Sequence, residues 1–526
     1  MMLTLGLSFL LGFVRQRMLL SNFGASNDLG IYLASSRLPD LLFQVIIAGA
    51  LSSAFIPIFS DFLVKNKKEE GYRFASTLLS IGLLGFFTIS IFLFIFAREF
   101  SHLAYPGFSN SQIVLMANLM RIILIGEMFF IVGNVLSAVL QSFNHFFIPG
   151  FASALYNFGI IIGIVLLTPW LGIYAPAWGV VLGAVLFVII QIPIARKVGF
   201  IYRPSLSIYE KGIKEVFHLM WPRTVSIGIF QIGSLLTVTL ISFLPDPGRI
   251  FVTFDFAQSL ANAPILLFGQ TIAQAAFPVL SREREKLEEF KQTFLTSFNQ
   301  MLYLVLPVSV LLLVLRIPIV RLTYGVSRLD WPATVIMGRI LAAFSIGIFA
   351  QALAYLVSRG FYALHDSKSP LIVGAITTGT MLATGAISVF FLHLGVTSIA
   401  LAYSFGSILN VFLLFILLVR KIGGFDKRQL IIAAMKIFSA TFFTAIALYV
   451  PIKLLDRLVF DTTKTINLLM LTGISSFAGL SLYLFLTWLF NVKEANTFIL
   501  LFRKLGNWRE ILSRSEEVID TPKLSQ

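Results

Sequence analysis

Long apolar runs broken by short polar turns set the pattern of this chain from its first residues onward. Runs of spanning length fall near residues 3–20, 38–63, 74–97, 113–140, 148–168, 171–195, 217–244, 250–280, 293–315, 335–358, 370–393, 395–419, 430–453 and 466–490. At a rise of about 1.5 Å per residue, about 20 apolar residues cross the hydrocarbon core of a bilayer. The pattern predicts an all-α polytopic membrane protein with about 14 transmembrane helices.

The breaks repeat. SAFIPIFSD at 53–61 returns as AAFPVLSRE at 275–283, an offset of 221 that aligns Pro57 with Pro278 and Ser60 with Ser281. LQSFNHFFIP ending at Pro149 is echoed at the same offset by SRGFYALHDSKSP ending at Pro370. Six spans separate the copies, an even number, so the two share one orientation in the membrane. The expected parse is an N-terminal six-helix lobe over 1–195, a parallel-repeat six-helix lobe over 196–420, two further helices over 421–490 and a cytoplasmic tail over 491–526. Parallel repeats of this kind are a transporter architecture with a path between the halves.

Composition narrows the class. Hydrophobic residues make up 57% of the 526 and charged residues only 12%, too few to coat a soluble globule. Little chain remains outside the apolar runs for a soluble catalytic domain. The net charge of +15 comes from the loops. Those following even-numbered spans, with the tail, hold 25 Lys and Arg against 8 on the opposite side, which places both termini in the cytoplasm. Anionic headgroups account for such dispersed charges, and nucleic acid is not expected as a partner. The apolar N-terminus lacks a basic leader and a small-residue cleavage site, so it reads as the first span.

Candidate chemistry is sparse. Cysteine is absent, and the five histidines are scattered, so neither a thiolate nor a metal site is expected. No GxxxxGK[ST] loop and no HExxH helix occurs, so no cofactor, nucleotide hydrolysis or metalloprotease chemistry is predicted. Seven cationic residues remain inside or at the edges of spans: Arg15, Arg17, Arg37, Arg121, Arg223, Arg339 and Lys436.

Arg15, Arg17, Arg37 and Arg223 belong to the first spans of the two lobes and can converge on a cavity. Guanidinium groups bind phosphate bidentately and stay charged. Snorkelling to the interface is the alternative for Arg15 and Arg17, and interfacial anchoring for Arg37 and Arg223. Among the acids, Asp40, Glu127 and Asp255 are candidates for counter-ion, cation or proton-coupling roles. Asp40 stands three residues after Arg37, in position for a local ion pair, and Glu127 reads as a buried partner of another helix. The small-residue stretch around Gly49, with Pro57 and Pro278, suits a gate or tight packing.

The segments GFVR, FG, RLPDLL and GALSSAFIPIFSDF over 12–62, LANAPILLFGQTIAQAAFPVLS at 260–281 and RGFYALHDSKSP at 359–370 resemble the MurJ (MviN) family of lipid II flippases. That family lies in the multidrug/oligosaccharidyl-lipid/polysaccharide exporter superfamily. The resemblance implies a transporter in the bacterial cytoplasmic (inner) membrane, without hydrolytic chemistry. It would move the undecaprenyl-pyrophosphate-linked peptidoglycan precursor, lipid II, from the inner to the outer leaflet by alternating access driven by membrane potential.

It further implies pyrophosphate binding by cavity arginines, a lipid-tail groove formed by 430–453 and 466–490, and cell-wall synthesis proteins as candidate partners. Arg15 matches the arginine of the family's GFxR segment and Arg37 the basic residue before LP. Asp28 stands for the acid after the first FG, and with Asp40 and Asp255 it forms the expected coupling or counter-ion set. Other family charges are absent, since Phe9, Phe43, Ala48, Gln258 and Ser259 occupy their places. Arg223, Arg17 and Arg37 then supply a rearranged anion site, or the substrate differs. The alternatives are an exporter of another polyprenyl-linked glycan or amphipathic solute, and a non-transporting membrane scaffold.

Overall fold

The computed structural model describes residues 2–45, 55–207, 212–425, 427–458 and 464–495. Gly49 lies outside the described residues. The chain begins with α1 (Met2–Phe23), α2 (Asn27–Phe43), α3 (Ile56–Val64), α4 (Lys68–Ile95), α5 (Ala97–Ala104), α6 (Asn110–Ser142), α7 (Phe147–Leu171), α8 (Tyr174–Ile189), α9 (Ile192–Lys197) and α10 (Ile213–Ser242). It continues with α11 (Pro247–Pro264), α12 (Thr271–Arg282), α13 (Leu287–Val314), α14 (Arg316–Tyr324), α15 (Trp331–Ser345), α16 (Ile348–Ala363), α17 (Lys368–Ala386), α18 (Val396–Ile422), α19 (Lys427–Leu458) and α20 (Thr465–Leu489). Wider π-helical turns at Ile265–Gln270 and Ile387–Phe391 interrupt the ladder after α11 and α17.

No strand occurs among the described residues, as a lipid environment requires when every backbone group must bond within its own segment. Among the described residues, ten helical stretches are long and apolar enough to cross a membrane, and α15 with α16, bent by 42°, make an eleventh if the pair is one span. The expected all-α polytopic class is borne out. Part of the second expected span, 46–54, falls outside the described residues.

The helices pack as two compact units. The first draws on residues up to 260 with 320–343 and 371–406, and the second on 261–319, 344–370 and the described residues from 407 onward.

In the first unit, α7 and α8 pack backbone to backbone. A Cβ added to Gly159 would lie 2.4 Å from the Gly183 Cα, and one added to Gly163 would lie 2.4 Å from the Gly179 Cα. Each helix therefore carries glycines four residues apart on the contacting face, the small-xxx-small spacing that lets membrane helices approach closely. An aromatic layer fills the space between α3 and α4, with Phe55 5.3 Å from Phe59 and 5.5 Å from Phe74 between ring centres. Ser26 starts α2 by accepting from the Leu29 N–H, and Ser109 with Gln112 forms a capping box at the start of α6.

In the second unit, α13 packs against α16, α19 and α20. The Tyr483 hydroxyl donates to the Tyr303 carbonyl at 2.7 Å and fixes α20 on α13. Between α16 and α17, Asp366 accepts from Lys421 Nζ at 2.6 Å and from the N–H and hydroxyl of Ser369 at 3.0 and 2.8 Å. Burial pushes the Asp366 carboxyl up, but the Lys421 and Ser369 hydrogen bonds and the Lys421 charge outweigh it and hold the group at about 2. A depressed folded value stabilises above the ordinary 3.8 and is lost as pH falls through about 2. Amide exchange at Ser369 is therefore expected to rise between those two values. Asp366→Asn should abolish that pH dependence at a cost below about 1 kcal/mol, because Lys421 is exposed and the pair is screened.

Candidate functional site

Charged side chains of α1, α2 and α11 meet inside the first unit. Arg37 Nη2 donates to Asp255 Oδ1, and the guanidinium lies 5.4 Å from the centre of the Phe251 ring. Phe251 and Asp255 are one helical turn apart, so α11 presents a ring and a carboxylate together to the same cation. The Arg37 Nε is buried without a partner among the described residues.

Asp40, one turn beyond Arg37 on α2, lies within electrostatic reach of Arg37, Arg15 and Asp255. The local Arg37–Asp40 pair suggested by sequence spacing is replaced by a tertiary one, because Arg37 extends to α11 instead. Arg15 on α1 is half-buried and senses Tyr32, Asp40 and Tyr156 electrostatically. No hydrogen bond or ion pair reaches it among the described residues.

The other expected positions divide. Arg17 is exposed and, two residues from Arg15, points to a different face of α1. Asp28 is exposed in the first turn of α2, where the helix dipole favours an acid. The backbone of Arg223 lies in α10, and its side chain falls outside the described residues. Pro57 is exposed in the first turn of α3, and Pro278 is exposed within α12. Arg121 donates to the Phe94 carbonyl at 3.0 Å and to Asn118 at 2.9 Å, a structural role at the end of α4.

Glu127 on α6 is buried, its Oε2 has no partner among the described residues, and Asp40 lies within electrostatic reach. The Phe43 ring packs 5.2 Å from the Phe130 ring between centres. Phe130 in turn lies 4.9 Å from both Tyr156 and Phe187. The site is thus lined on one side by rings.

Sequence reasoning missed a hydrogen-bond chain beside these charges. Gln16 Nε2 donates to the Ser259 hydroxyl at 2.8 Å, and the Tyr324 hydroxyl donates to Gln16 Oε1 at 2.8 Å. The signal available was a neutral amide between Arg15 and Arg17 inside an otherwise apolar segment. No group of three or more His, Cys, Asp or Glu suited to a metal occurs among the described residues.

Chemically, this patch offers a guanidinium at Arg15 without an ion pair among the described residues, and a second at Arg37 that is paired with Asp255 and keeps a buried, unpartnered Nε–H.

The profile of a family described as "Lipid II flippase MurJ" matches residues 19–470. The probable lipid II flippase MurJ of Buchnera aphidicola subsp. Acyrthosiphon pisum is 26% identical over 503 residues, covering 94% of this chain and 96% of that one. The lipid II flippase MurJ of Burkholderia cenocepacia is 25% identical over 428 residues, covering 78% and 81%. A solved lipid II flippase MurJ in an inward closed conformation superposes with a TM-score of 0.76 at 22% identity, covering 93% of this chain and 98% of that one. An inward-facing multidrug resistance transporter of the MATE family, in the MOP superfamily, gives 0.66 at 15% identity, covering 79% and 94%.

Proposed function

The chain belongs to the lipid II flippase MurJ family, and on that premise we propose that it carries lipid II from the inner to the outer leaflet of the bacterial cytoplasmic membrane by alternating access. The observation that carries this reading is the Arg37–Asp255 pair, which ties α2 to a helical stretch long and apolar enough to cross a membrane, with the Arg15 guanidinium unpaired. Charges kept among apolar helices are costly, and a path for an anion explains their retention.

In this reading Arg15 and Arg37, joined by Arg223, bind the pyrophosphate. Asp40 and Asp255 are the counter-ions it displaces, and Asp28 is a further coupling candidate. Residues 1–195 and 196–420 act as parallel lobes, with Gly49, Pro57 and Pro278 at gate or packing positions. The hairpin of α19 and α20 receives the lipid tail, since both helices turn large apolar side chains such as Phe442 and Phe477 outward. Both termini face the cytoplasm, where cell-wall synthesis proteins would meet the loops. Membrane potential supplies the drive.

A second reading, export of another polyprenyl-linked glycan, is favoured by Phe43, which packs against Phe130 and brings no charge to the site. Complementation of a flippase-depleted bacterium separates the two. Rescue of growth by the parent chain, and its loss in Arg15→Ala with the protein still inserted, is the expected outcome. An inserted parent chain that fails to rescue would overturn the lipid II assignment.

A further inference from the structure

The first unit holds a charged cleft that shares no residue with the site above. It lies between the start of α4 and the segment that follows α9, and is lined from α4 by Glu69, Arg73 and Ser76 and from the segment by Ile201 and Arg203. Its volume is about 80 Å3, several times the space that one water needs.

The local sequence builds this cleft. On α4, Glu69, Arg73, Ser76 and Ser80 recur at helical spacing and share one face. Gly199, at φ 89°, turns the chain out of α9 through the left-handed region that favours glycine. The buried Phe200 then sets its ring 5.9 Å from the Tyr72 ring, and the Tyr72 hydroxyl donates to the Val198 carbonyl. Residues 200–207 have no regular secondary structure, and their backbone bonds to the serines of α4 instead. The Arg203 N–H donates to the Ser76 hydroxyl and the Ser205 N–H to the Ser80 hydroxyl, both at 3.2 Å. The segment is thereby clamped along the helix, with Arg203 held at the cleft that Arg73 also lines.

Position and charge limit what the cleft can hold. One apolar stretch long enough to cross a membrane, Lys68–Ile95, opens beside it, and the segment follows the end of another, Tyr174–Lys197. The ends of such helices lie at the level of the lipid head groups. Two guanidinium groups offer paired N–H donors to a phosphate, and Glu69 offers a carboxylate one helical turn from Arg73. Neither Glu69 nor the Arg203 side chain makes an ion pair among the described residues. Ile201 is 62% exposed, so apolar surface adjoins these charges.

We infer that the cleft binds the head group of a zwitterionic aminophospholipid, with the phosphate on Arg73 and Arg203, the ammonium on Glu69 and the glycerol end against Ile201. A free phosphate would set an anion against Glu69 and leave Ile201 in water. A purely anionic lipid would meet the same carboxylate, and a choline head group has no N–H to donate to it. Nothing in this site depends on which substrate the protein moves.

Full-length protein in detergent, stripped of lipid, is given equal amounts of phosphatidylethanolamine, phosphatidylcholine or phosphatidylglycerol with the same acyl chains and read by native mass spectrometry. Phosphatidylethanolamine should be retained several-fold more than either of the others. Arg203→Ala should remove most of that excess, and Glu69→Gln should bring phosphatidylethanolamine down to the phosphatidylcholine level. Both side chains are exposed, so the variants should melt with the parent, and either one alone decides the role of the cleft.

Equal retention of the ethanolamine and choline lipids by the parent, or an excess unchanged in the variants, would overturn the site. Stronger retention of phosphatidylglycerol would overturn the assignment to an aminophospholipid. Glycerophosphoethanolamine, the same head group without chains, should leave no adduct, and an adduct as strong as the lipid's would overturn the lipid source.

Discussion

Arg37→Ala is expected to lower flipping by about two orders of magnitude. Hydrogen bonds to charged groups contribute about 1.5–3 kcal/mol each, so losing one or two contacts to a diphosphate removes about 3 kcal/mol, near a hundredfold. The same substitution strands Asp255 beside Phe251 without its cation. Breaking a buried pair costs about 3–5 kcal/mol, but here 28% and 19% of the two side-chain surfaces are exposed, so about 2 kcal/mol is the appropriate figure. Adding Asp255→Ala should restore most of that stability and none of the transport. Melting in detergent and flipping in proteoliposomes, measured on the parent, the single and the double variant, separate the two roles. If the double variant regains transport, Arg37 serves to neutralise Asp255 and does not bind substrate.

Gly163→Val should destabilise the first unit by about 3 kcal/mol or more, the upper range for overpacking. Its Cβ would fall 2.4 Å from the Gly179 Cα, and the obstacle is backbone, which cannot swing aside as a flexible side chain can. The helices α7 and α8 would have to separate along the whole seam that Gly159 and Gly183 share. Gly163→Ala should show a smaller loss of the same sign, whereas Gly473→Ala on α20, with open space around its Cα, should leave stability nearly unchanged. Thermal unfolding of the purified full chain reads all three. A Val variant as stable as the parent would mean that the seam is not tightly packed.

Much of the fold was legible because lipid enforces a simple rule. Apolar runs of spanning length must be helices. The functional residues were legible one at a time. Arg37 and Asp255 each stand out as charges in apolar runs, but they are 218 residues apart and only the tertiary fold pairs them. Sequence spacing favoured Asp40, which is near Arg37 on the same helix, over Asp255, which is near it in space.

Gln16, Ser259 and Tyr324 gave no such signal, since a neutral polar residue inside a span is common and its partner comes from another helix. The glycine seam was present as Gly159 and Gly163 facing Gly179 and Gly183, a spacing readable from the chain once the two helices are known to be neighbours. Phe43 shows the reverse case. A departure from a family's charge pattern looked like a loss, and the structure shows a ring packed among other rings.

The π-helical turn at Ile265–Gln270 has a consequence for any substitution map of this region. An α-helix advances its side chains by a fixed angle per residue, and a turn closed over five residues instead of four falls behind by about one position. Residues before the turn, Asp255 and Ser259 among them, therefore belong to one helical wheel, and those after it, down to Pro278, to another. A tolerance scan along 247–282 should show two stretches of regular periodicity out of phase with each other, and a single wheel drawn through both would assign half of the residues to the wrong face.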